Sequence, residues 1–344
     1  MPVKNRAALD YAKLAFAYFP TDKNLRYRWR DGKWDAGEET DSELLPLHIA
    51  ATSLHYGQSA FEGLKIYEAR DGRVLGFRID ENAKRLRYSA TMLMMEPPPL
   101  ELVHEAVLRA VRANQRFIPP YGSGATLYVR PLLIGSGPRI GVGPADEYLL
   151  LVLVTPVGPY FKLGFSSTKM VVEEELDRAA PRGVGSAKAG GNYGAGMRAT
   201  MRAKQAGFGE ALYLDAKEHK YIEELGAANF FGITADRAYV TPKSPSVLRS
   251  ITNMSLRTLA PDLGYRVEER PVPVEELSEF VETGACGTAA VITPFESIHV
   301  RGKDIVYLPD GKPGPHCTAL YQALTSIQFG DAEDKYGWTE EIEI

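Results

Sequence analysis

The chain predicts a two-domain α/β (α+β) protein, and three features carry the prediction. Its 344 residues exceed one ordinary domain and suit two of roughly 150 residues each. The first half places a hairpin, two amphipathic helices and two aliphatic strands in succession, whereas the second half has short strands close together, as in a sheet or barrel. Gly158-Pro159 and the polar residues after it mark a boundary. We therefore place a smaller N-terminal α/β domain at 1–156, a linker at 157–168 and a larger C-terminal domain at 169–344.

The elements of the first half follow from turn residues and hydrophobic spacing. Alternating residues on either side of Asp71-Gly72 predict a β-hairpin. After the hairpin, Asp80 is expected to cap a helix, which Pro97 to Pro99 ends. The predicted elements are the hairpin at Leu64–Phe77, helices at 80–95 and 100–115, and strands at Ala125–Ile134 and Tyr148–Val157.

The second half begins with a strand and continues through a glycine-rich loop into a helix and several short strands. The predicted strands are Lys169–Glu175, Leu212–Asp215, Tyr221–Leu225, Phe230–Thr234 and Ala238–Thr241, and the predicted helices are 195–205, 253–262, 273–281 and 316–328.

Composition excludes several classes of protein. With 44% hydrophobic and 24% charged residues the chain is typical of a soluble globular protein, and its net charge of -4 leaves no basic surplus for nucleic acid. The N-terminal apolar run is interrupted by Asp10 and Lys13, unlike a signal peptide, and no apolar stretch reaches membrane-spanning length. Two cysteines and scattered histidines match no disulfide framework or metal site. We expect a cytoplasmic protein that acts on small molecules.

One lysine stands in a glycine-rich stretch, Gly183–Gly196, which also contains Tyr193. Glycines permit close backbone approach, so this stretch can bring Lys188 and a phenol against a flat ligand. A lysine that forms a Schiff base needs its neutral form, which desolvation supplies by lowering its pKa. The alternative is a solvated loop whose lysine has no chemical role. The phosphate-loop pattern GxxxxGK[ST] is absent.

Several separate motifs together indicate a family. Lys188 with Tyr193, Glu224 to Phe231 (ELGAANFF), Ser250-Ile251-Thr252 and Gly287 to Ala290 (GTAA) resemble the class IV aminotransferases, pyridoxal-phosphate enzymes of fold type IV. In the first half, LHYGQSAFEGLK (54–65), the helix with Arg85 and LYVRPLLIG (127–135) resemble branched-chain amino acid aminotransferases. The resemblance covers nearly the whole chain and implies a C-terminal pseudo-barrel domain that carries the cofactor lysine.

The resemblance also implies roles in cofactor binding. Lys188 would bind pyridoxal 5′-phosphate and later carry the proton, while Glu224 would pair with the pyridine nitrogen. Because neighbours on a strand face opposite ways, at most one of Glu223 and Glu224 should point into the site. The implied ligands of ring and phosphate are Tyr193 at O3′, and Arg85, Ile251, Thr252 and Thr288 at the phosphate.

Without the resemblance, each of these residues has a simpler interpretation. Glu224 would be a surface-strand carboxylate and Tyr193 a core or rim tyrosine. With Arg78 and Arg87 nearby, Arg85 would belong to a solvated basic face. Ser250 could be a plain N-cap, which is compatible with a phosphate-binding helix start.

Substrate contacts are implied in the same way. The Thr288-Ala289 turn and Tyr128 would take the α-carboxylate, and Arg130 would meet the γ-carboxylate of glutamate beside an apolar wall. Tyr128 and Arg130 are two residues apart and should share a strand face. The implied pocket residues are Tyr56, Phe61 and Tyr160, with Val142 from the partner subunit of a homodimer.

These features predict a transaminase that moves amino groups between leucine, isoleucine or valine and 2-oxoglutarate by a ping-pong mechanism. A D-amino acid transaminase or an aminodeoxychorismate lyase would share the lysine, the glutamate and the phosphate ligands. A non-enzymatic ligand-binding protein is the alternative outside this fold. The chain departs from the family pattern at Ser250, where glycine is usual, and at Asn253, where lysine or arginine is usual; it also lacks the Cys-x-x-Cys of some animal members.

Overall fold

A computed structural model of the chain describes residues 3–158 and 165–344. Contacts between Cα atoms divide the chain into two compact units. Unit 1 comprises Met1–Tyr160, Ala187–Gly191 and Ser326–Ile344, and unit 2 comprises Phe161–Ser186 and Asn192–Thr325.

The described residues form β-strands, α-helices and short 3₁₀ helices, whose bounds are as follows. The strands are β1 (Asn24–Arg30), β2 (Lys33–Trp34), β3 (Glu38–Thr40), β4 (Ser59–Phe61), β5 (Leu64–Glu68), β6 (Val74–Phe77), β7 (Thr126–Gly135), β8 (Tyr148–Val157), β9 (Thr168–Glu173), β10 (Glu210–Leu214), β11 (Tyr221–Leu225), β12 (Asn229–Thr234), β13 (Ala238–Pro242), β14 (Arg266–Arg270), β15 (Val272–Pro273), β16 (Phe280–Gly287), β17 (Val291–Val300), β18 (Lys303–Val306) and β19 (Thr339–Glu341). The α-helices are α1 (Thr52–Tyr56), α2 (Ile79–Met92), α3 (Leu100–Ala113), α4 (Gly190–Gln205), α5 (Ile251–Leu259) and α6 (Pro315–Gln328). Short 3₁₀ helices occur at Tyr11–Lys13, Gln115–Phe117, Ala260–Leu263 and Val274–Glu279.

Unit 1 is built on a nine-stranded antiparallel sheet, counted over the residues described. Its strand order is β19-β6-β5-β7-β8-β1-β2, with β3 on β1 and β4 on β7. Helix α3 buries the face formed by Val103, Ala106, Val107, Ala110 and Val111, at the spacing that the sequence predicts. These side chains share a core with alternate residues of the central strands, such as Leu127 and Val129. The opposite residues of β7, including Tyr128 and Arg130, are left for the other face of the sheet.

Unit 2 contains a closed barrel. Strands β12, β16, β17, β9, β10 and β11 follow one another, and β11 pairs again with β12. The closing pair is Glu224 opposite Asn229. Phe230, Phe295 and Leu212 are fully buried in its core, and β13 and β14 extend the sheet beyond the ring. The short strands predicted in the second half therefore form a barrel.

Two local predictions for helix starts are wrong. Asp80 does not cap α2: it lies in the first turn, and the preceding Arg78 has left-handed φ of 50° with no side-chain cap. The glycine-rich stretch is helical from Gly190, so Tyr193 belongs to α4 instead of a loop. The buried Gly196 packs near Tyr213, and a Cβ there would stand at an ordinary contact distance of 3.4 Å from the hydroxyl oxygen.

Other differences concern short elements. The helix predicted at 273–281 is a 3₁₀ helix at Val274–Glu279, after which β16 begins. Strand β1 was not predicted, although its sequence NLRYRWR alternates and buries Leu25 and Tyr27. The edge strand β19 has only three residues, too few to show a period, and is recognised by its pairing with β6.

Two segments of the predicted C-terminal domain belong to unit 1, so the chain passes between the units more often than the predicted boundaries indicate. Residues 187–191 and 326–344 group with the N-terminal unit, although the sequence analysis placed them in the C-terminal domain. The reason is strand pairing: Ala189 forms a β-bridge with Ala60, and β19 pairs with β6. Part of the predicted linker, residues 159–164, lies outside the described residues.

Truncating a central core side chain should destabilise unit 1. Leu127 is fully buried, so Leu127→Ala should lower the free energy of unfolding by about 2–5 kcal/mol because a cavity remains. Leu44→Ala is the matched control, since Leu44 is 81% exposed and should change stability by less than about 0.5 kcal/mol. Urea denaturation measures both, and equal midpoints for the two variants would contradict this core assignment.

Candidate active site

The lysine cluster of unit 1 comprises Phe61, Glu62, Arg85, Tyr128, Arg130 and Lys188. The segment that carries Lys188 is held by backbone contacts on both sides. The N–H of Phe61 donates to the carbonyl oxygen of Lys188 at 3.0 Å, and the N–H of Lys188 donates to Ser89 Oγ on α2 at 2.9 Å. Together with the bridge between Ala60 and Ala189, these bonds place Lys188 between strand β4 and helix α2.

The amine of Lys188 lies in a desolvated environment near charged groups of both signs. Its Nζ is 4.6 Å from the centroid of the Phe61 ring. Desolvation lowers the pKa of Lys188 to about 8, with a further lowering from the Arg85 cation against which the Glu62 carboxylate acts. The residue as a whole is half-buried. This lowered pKa is the property that a Schiff-base lysine requires.

Arg85 forms an ion pair with the fully buried carboxylate of Glu62. Its Nε and Nη2 donate to the two oxygens of Glu62 at 2.7 and 2.8 Å, and Asn82 Nδ2 donates to Glu62 Oε2 at 2.7 Å. A two-pronged pair of this kind sets the plane of the guanidinium. The solvated basic face considered for Arg85 is wrong. Glu62 is a site residue that was not predicted, although it stands inside the motif Phe61-Glu62-Gly63.

Tyr128 and Arg130 share one face of β7, as predicted from their spacing. Arg130 Nη2 donates to the Tyr128 hydroxyl at 3.1 Å, and the guanidinium carbon lies 4.8 Å from the Phe61 ring centroid. Arg130 Nε is buried and has no hydrogen-bond partner within the described part of the chain. A Cβ on Gly63 would stand 1.8 Å from the Tyr128 hydroxyl oxygen. Glycine at this position therefore leaves room for the phenol.

The glutamate cluster of unit 2 comprises Arg178, Glu224, Asn229 and Leu248. Glu224 Oε1 accepts from the Leu248 N–H at 2.9 Å and lies 2.9 Å from Arg178 Nη2, while Oε2 accepts from Asn229 Nδ2 at 3.0 Å. Glu224 is only 3% exposed. A carboxylate in this position with three donors is favoured as the anion.

Glu223 has a separate set of partners. It accepts hydrogen bonds from the hydroxyls of Ser244 and Ser246 and, like Glu224, is buried. The two neighbouring carboxylates therefore serve different networks, as expected for successive residues of β11. A surface-strand interpretation of this pair is wrong.

Arg178 was missed by the sequence analysis. It follows β9 and is buried, and its Nη2 donates to the carbonyl oxygens of Gly185 and Ser246 in addition to its ion pair with Glu224. A single arginine in an irregular segment has no pattern in sequence that would distinguish it from a surface residue. Its function as a link between three segments depends on tertiary structure.

Helix α5 begins with the group of residues predicted to bind phosphate. Ser250 Oγ accepts from the Asn253 N–H at 3.2 Å, which confirms the N-cap. Ile251 and Thr252 are the first helical residues, and N–H groups in a first turn have no acceptor within the helix. With the positive end of the helix dipole, this turn favours an anion.

The predicted turn with Thr288 and Ala289 joins β16 to β17, and both residues are half-buried. Val291, directly after the turn, takes φ of 64°. A β-branched residue in the left-handed region is strained, and such strain occurs where surrounding structure demands one loop geometry.

The remaining predicted residues differ in position. Tyr193 is half-buried in the first turn of α4, and Tyr160 lies outside the described residues. Tyr56 and Val142 are 41% and 87% exposed, respectively, and the Tyr56 hydroxyl donates to the carbonyl oxygen of Ile140. Tyr56 and the loop with Val142 therefore form one exposed surface of unit 1.

The described residues contain neither a membrane-spanning helix nor a cluster suited to a metal ion. None of the helices there combines the length and apolar character needed to cross a bilayer. No group of three or more histidine, cysteine, aspartate and glutamate side chains in that part of the chain is arranged to hold a metal ion.

Comparison with known proteins identifies relatives along the whole chain. A family model described as amino-transferase class IV matches residues 59–298. A branched-chain-amino-acid aminotransferase of Haemophilus influenzae is 47% identical over 341 residues, which cover 97% of this chain and 99% of the relative. The solved structure of the Escherichia coli branched-chain amino acid aminotransferase has a TM-score of 0.78 and 29% identity over 92% of this chain and 99% of that chain. The branched-chain aminotransferase of Thermoproteus uzoniensis, solved with norvaline, has a TM-score of 0.75 and 26% identity over 93% of this chain and 100% of that chain.

The lowered pKa of Lys188 should be visible in its reactivity. Below pH 8 the amine is mostly protonated and unreactive, so its labelling rate with a small amine reagent should rise roughly tenfold from pH 7 to 9 and then level off. Exposed Lys84 is the control and should keep gaining reactivity beyond pH 10, because its ion pairs raise its pKa. Peptide mapping after pulse labelling separates the two lysines, and a parallel rise for both would contradict the desolvated amine.

Proposed function

Because the chain belongs to the class IV aminotransferases and catalyses branched-chain amino acid transamination, we propose that pyridoxal 5′-phosphate is its cofactor and that Lys188 binds it. The observation that carries this proposal is the lysine cluster, in which desolvation and the cations of Arg85 and Arg130 favour a neutral amine. Family membership sets aside a non-enzymatic ligand-binding protein. The full-length similarity to branched-chain enzymes sets aside a D-amino acid transaminase and an aminodeoxychorismate lyase.

The residues of the chain fit this cofactor. An aldehyde needs a neutral amine, a dianionic phosphate needs cations and N–H donors, and a protonated ring nitrogen needs an anion. Lys188, Arg85, the first turn of α5 and Glu224 are groups of these kinds. When bound, pyridoxal phosphate supplies the carbonyl that takes up the amino group and the ring that withdraws electrons from the substrate's Cα.

Lys188 has two tasks in this proposal. Its Nζ first binds the cofactor and, once substrate has displaced it, takes the proton from the substrate's Cα. An amine with a pKa of about 8 can both accept and release a proton near neutral pH, which favours general acid–base catalysis. The hydrogen bonds that the Lys188 backbone makes with Phe61 and Ser89 hold the Cα end of its side chain in place during both tasks.

Glu224 holds the positive charge on the pyridine nitrogen. Arg178, Asn229 and the Leu248 N–H favour its anionic form, and its burial strengthens its interaction with a nearby cation. Glu223 is assigned no chemical role because its oxygen is bound by two serine hydroxyls.

The phosphate and O3′ are assigned as the resemblance implies. Arg85 would provide the cation, with its plane set by Glu62, and Tyr193 would donate to O3′. The N–H groups and hydroxyls of Ile251, Thr252 and Thr288 would complete the set.

The substrate face of unit 1 combines an apolar ring with a cation. Phe61 would contact an aliphatic side chain, and Arg130 would meet the γ-carboxylate of glutamate, with Tyr128 and Ala289 at the α-carboxylate. The buried Nε of Arg130 offers an unused donor for that purpose. Tyr160 is retained as a pocket residue on the resemblance alone.

A homodimer belongs to the same proposal. Ile49, Ile140 and Val142 are 84%, 76% and 87% exposed, and Tyr56 is bound to the same loop. Apolar side chains grouped at a surface favour a protein partner. We therefore assign Val142 to the pocket of the partner subunit and retain Tyr56 as a pocket residue on the resemblance. The free, buried Cys286 and Cys317 support the cytoplasmic location that the sequence predicts.

Removing the lysine amine should abolish transamination. Lys188→Ala should lower the rate by at least about a thousandfold, because both covalent binding and proton transfer depend on that amine. Reduction with borohydride should attach the cofactor to Lys188 in the unaltered chain and to no residue in the variant. Lys84→Ala, at an exposed position on α2, is the control and should retain activity and labelling. Near-normal turnover of Lys188→Ala would refute the assignment.

Arg130 should matter more for glutamate than for leucine. The two half-reactions of a ping-pong enzyme can be measured separately, so single-turnover rates with each amino acid are the test. Arg130→Met should cost about 2–5 kcal/mol with glutamate, whose γ-carboxylate would be left unpaired, and much less with leucine. Exposed Arg28→Met should affect neither rate. Equal losses with both substrates would make Arg130 a structural or α-carboxylate residue.

A further inference from the structure

Asn253, the third residue of α5, is the centre of a buried hydrogen-bond network. The Tyr239 hydroxyl donates to Asn253 Oδ1 at 2.8 Å, and Asn253 Nδ2 donates to Thr241 Oγ1 at 2.9 Å. Its backbone N–H is bound by Ser250 Oγ. Only an amide offers both an acceptor for the phenol and a donor for the threonine at this length. A departure from the family pattern thus has a structural role.

The network continues into the barrel strands. Thr241 Oγ1 donates to the carbonyl oxygen of Phe230 at 2.8 Å, so this hydroxyl accepts from Asn253 and donates onward to β12. Tyr239 on β13 stacks on Phe231 of β12, with ring centroids 5.0 Å apart.

The network adjoins the proposed phosphate ligands at the start of α5, where Asn253 directly follows Ile251 and Thr252. Its two side-chain bonds go to Tyr239 and Thr241, both on β13. The network therefore ties the helix start that carries phosphate contacts to the neighbouring barrel strands.

We propose that Asn253, acting through Tyr239 and Thr241, is a positioning residue that holds the first turn of α5 against the barrel strands and thereby determines the affinity for the phosphate group. This inference rests on the proposed function. Loss of the amide would leave the buried phenol hydrogen without its acceptor and Thr241 Oγ1 without its donor, so the α5 turn would shift or loosen.

The test compares binding of pyridoxal 5′-phosphate with binding of pyridoxal, which lacks the phosphate. Both ligands use the aldehyde and Lys188, so only the first reports on the phosphate contacts. For the apoprotein carrying Asn253→Ala, we expect the dissociation constant of pyridoxal 5′-phosphate to rise on the order of tenfold. The constant for pyridoxal should change by less than about twofold. Thr258→Ala, on the exposed side of the same helix, is the matched control and should change neither.

Tyr239→Phe gives a second, gentler variant that removes only the hydroxyl. It should produce the same selective loss, and the double variant should lose less than the sum of the two because both act through one network. If Asn253→Ala does not fold, the comparison of the two ligands in Tyr239→Phe decides the matter. Equal weakening for both ligands, or no weakening, in the variants would overturn the inference. Failure of the unaltered chain to bind either aldehyde would instead refute the proposed function.

Discussion

The barrel of unit 2 closes through a pair that includes a buried charge. Strands β11 and β12 meet where Glu224 stands opposite Asn229, and the Asn229 amide donates to the Glu224 carboxylate. A buried carboxylate is costly unless it is paired and hydrogen-bonded, so closure depends on Arg178 and on the Leu248 N–H as well. The Glu224 carboxylate is therefore bound by three parts of unit 2. Asn229 belongs to the ring of strands, Arg178 to the segment before Lys188, and Leu248 to the segment before α5.

Unit 1 uses a buried carboxylate in a comparable way. Glu62 is fully buried and fixes the plane of the Arg85 guanidinium. Its negative charge raises the pKa of Lys188, whereas the Arg85 cation lowers it. Without this anion the two arginines would lower the pKa of the amine further. The chemistry assigned to Lys188 thus depends on a balance between desolvation, two cations and one anion, and not on the amine alone.

The two departures from the family pattern, Ser250 and Asn253, both have structural roles at the start of α5. A neutral amide at Asn253 satisfies two hydroxyls inside the protein, where a long cation would need an anion or solvent. Ser250, the other departure, caps α5 with its hydroxyl. Both changes stabilise the start of the helix, and neither supplies a reacting group.

Several features of the fold and the candidate site could be predicted from the sequence because they depend on neighbours in the chain. Strand β8 was predicted at its observed bounds, α3 with its buried face, and the shared face of Tyr128 and Arg130 from a separation of two residues. Family motifs named Lys188 and Glu224 and implied a pseudo-barrel, whereas the short, closely spaced strands alone fitted either a sheet or a barrel.

Only the tertiary structure could show which residues bind the predicted site residues. Glu62 holds Arg85 across 23 residues and Arg178 reaches Glu224 from another segment, and neither separation leaves a period in the sequence. The return of residues 187–191 and 326–344 to unit 1 likewise depends on strand pairing between distant segments. Local spacing determines which elements form and which face a side chain takes. Desolvation, buried ion pairs and closure arise only when remote segments pack together, and they decide the pKa of Lys188 and the charge of Glu224.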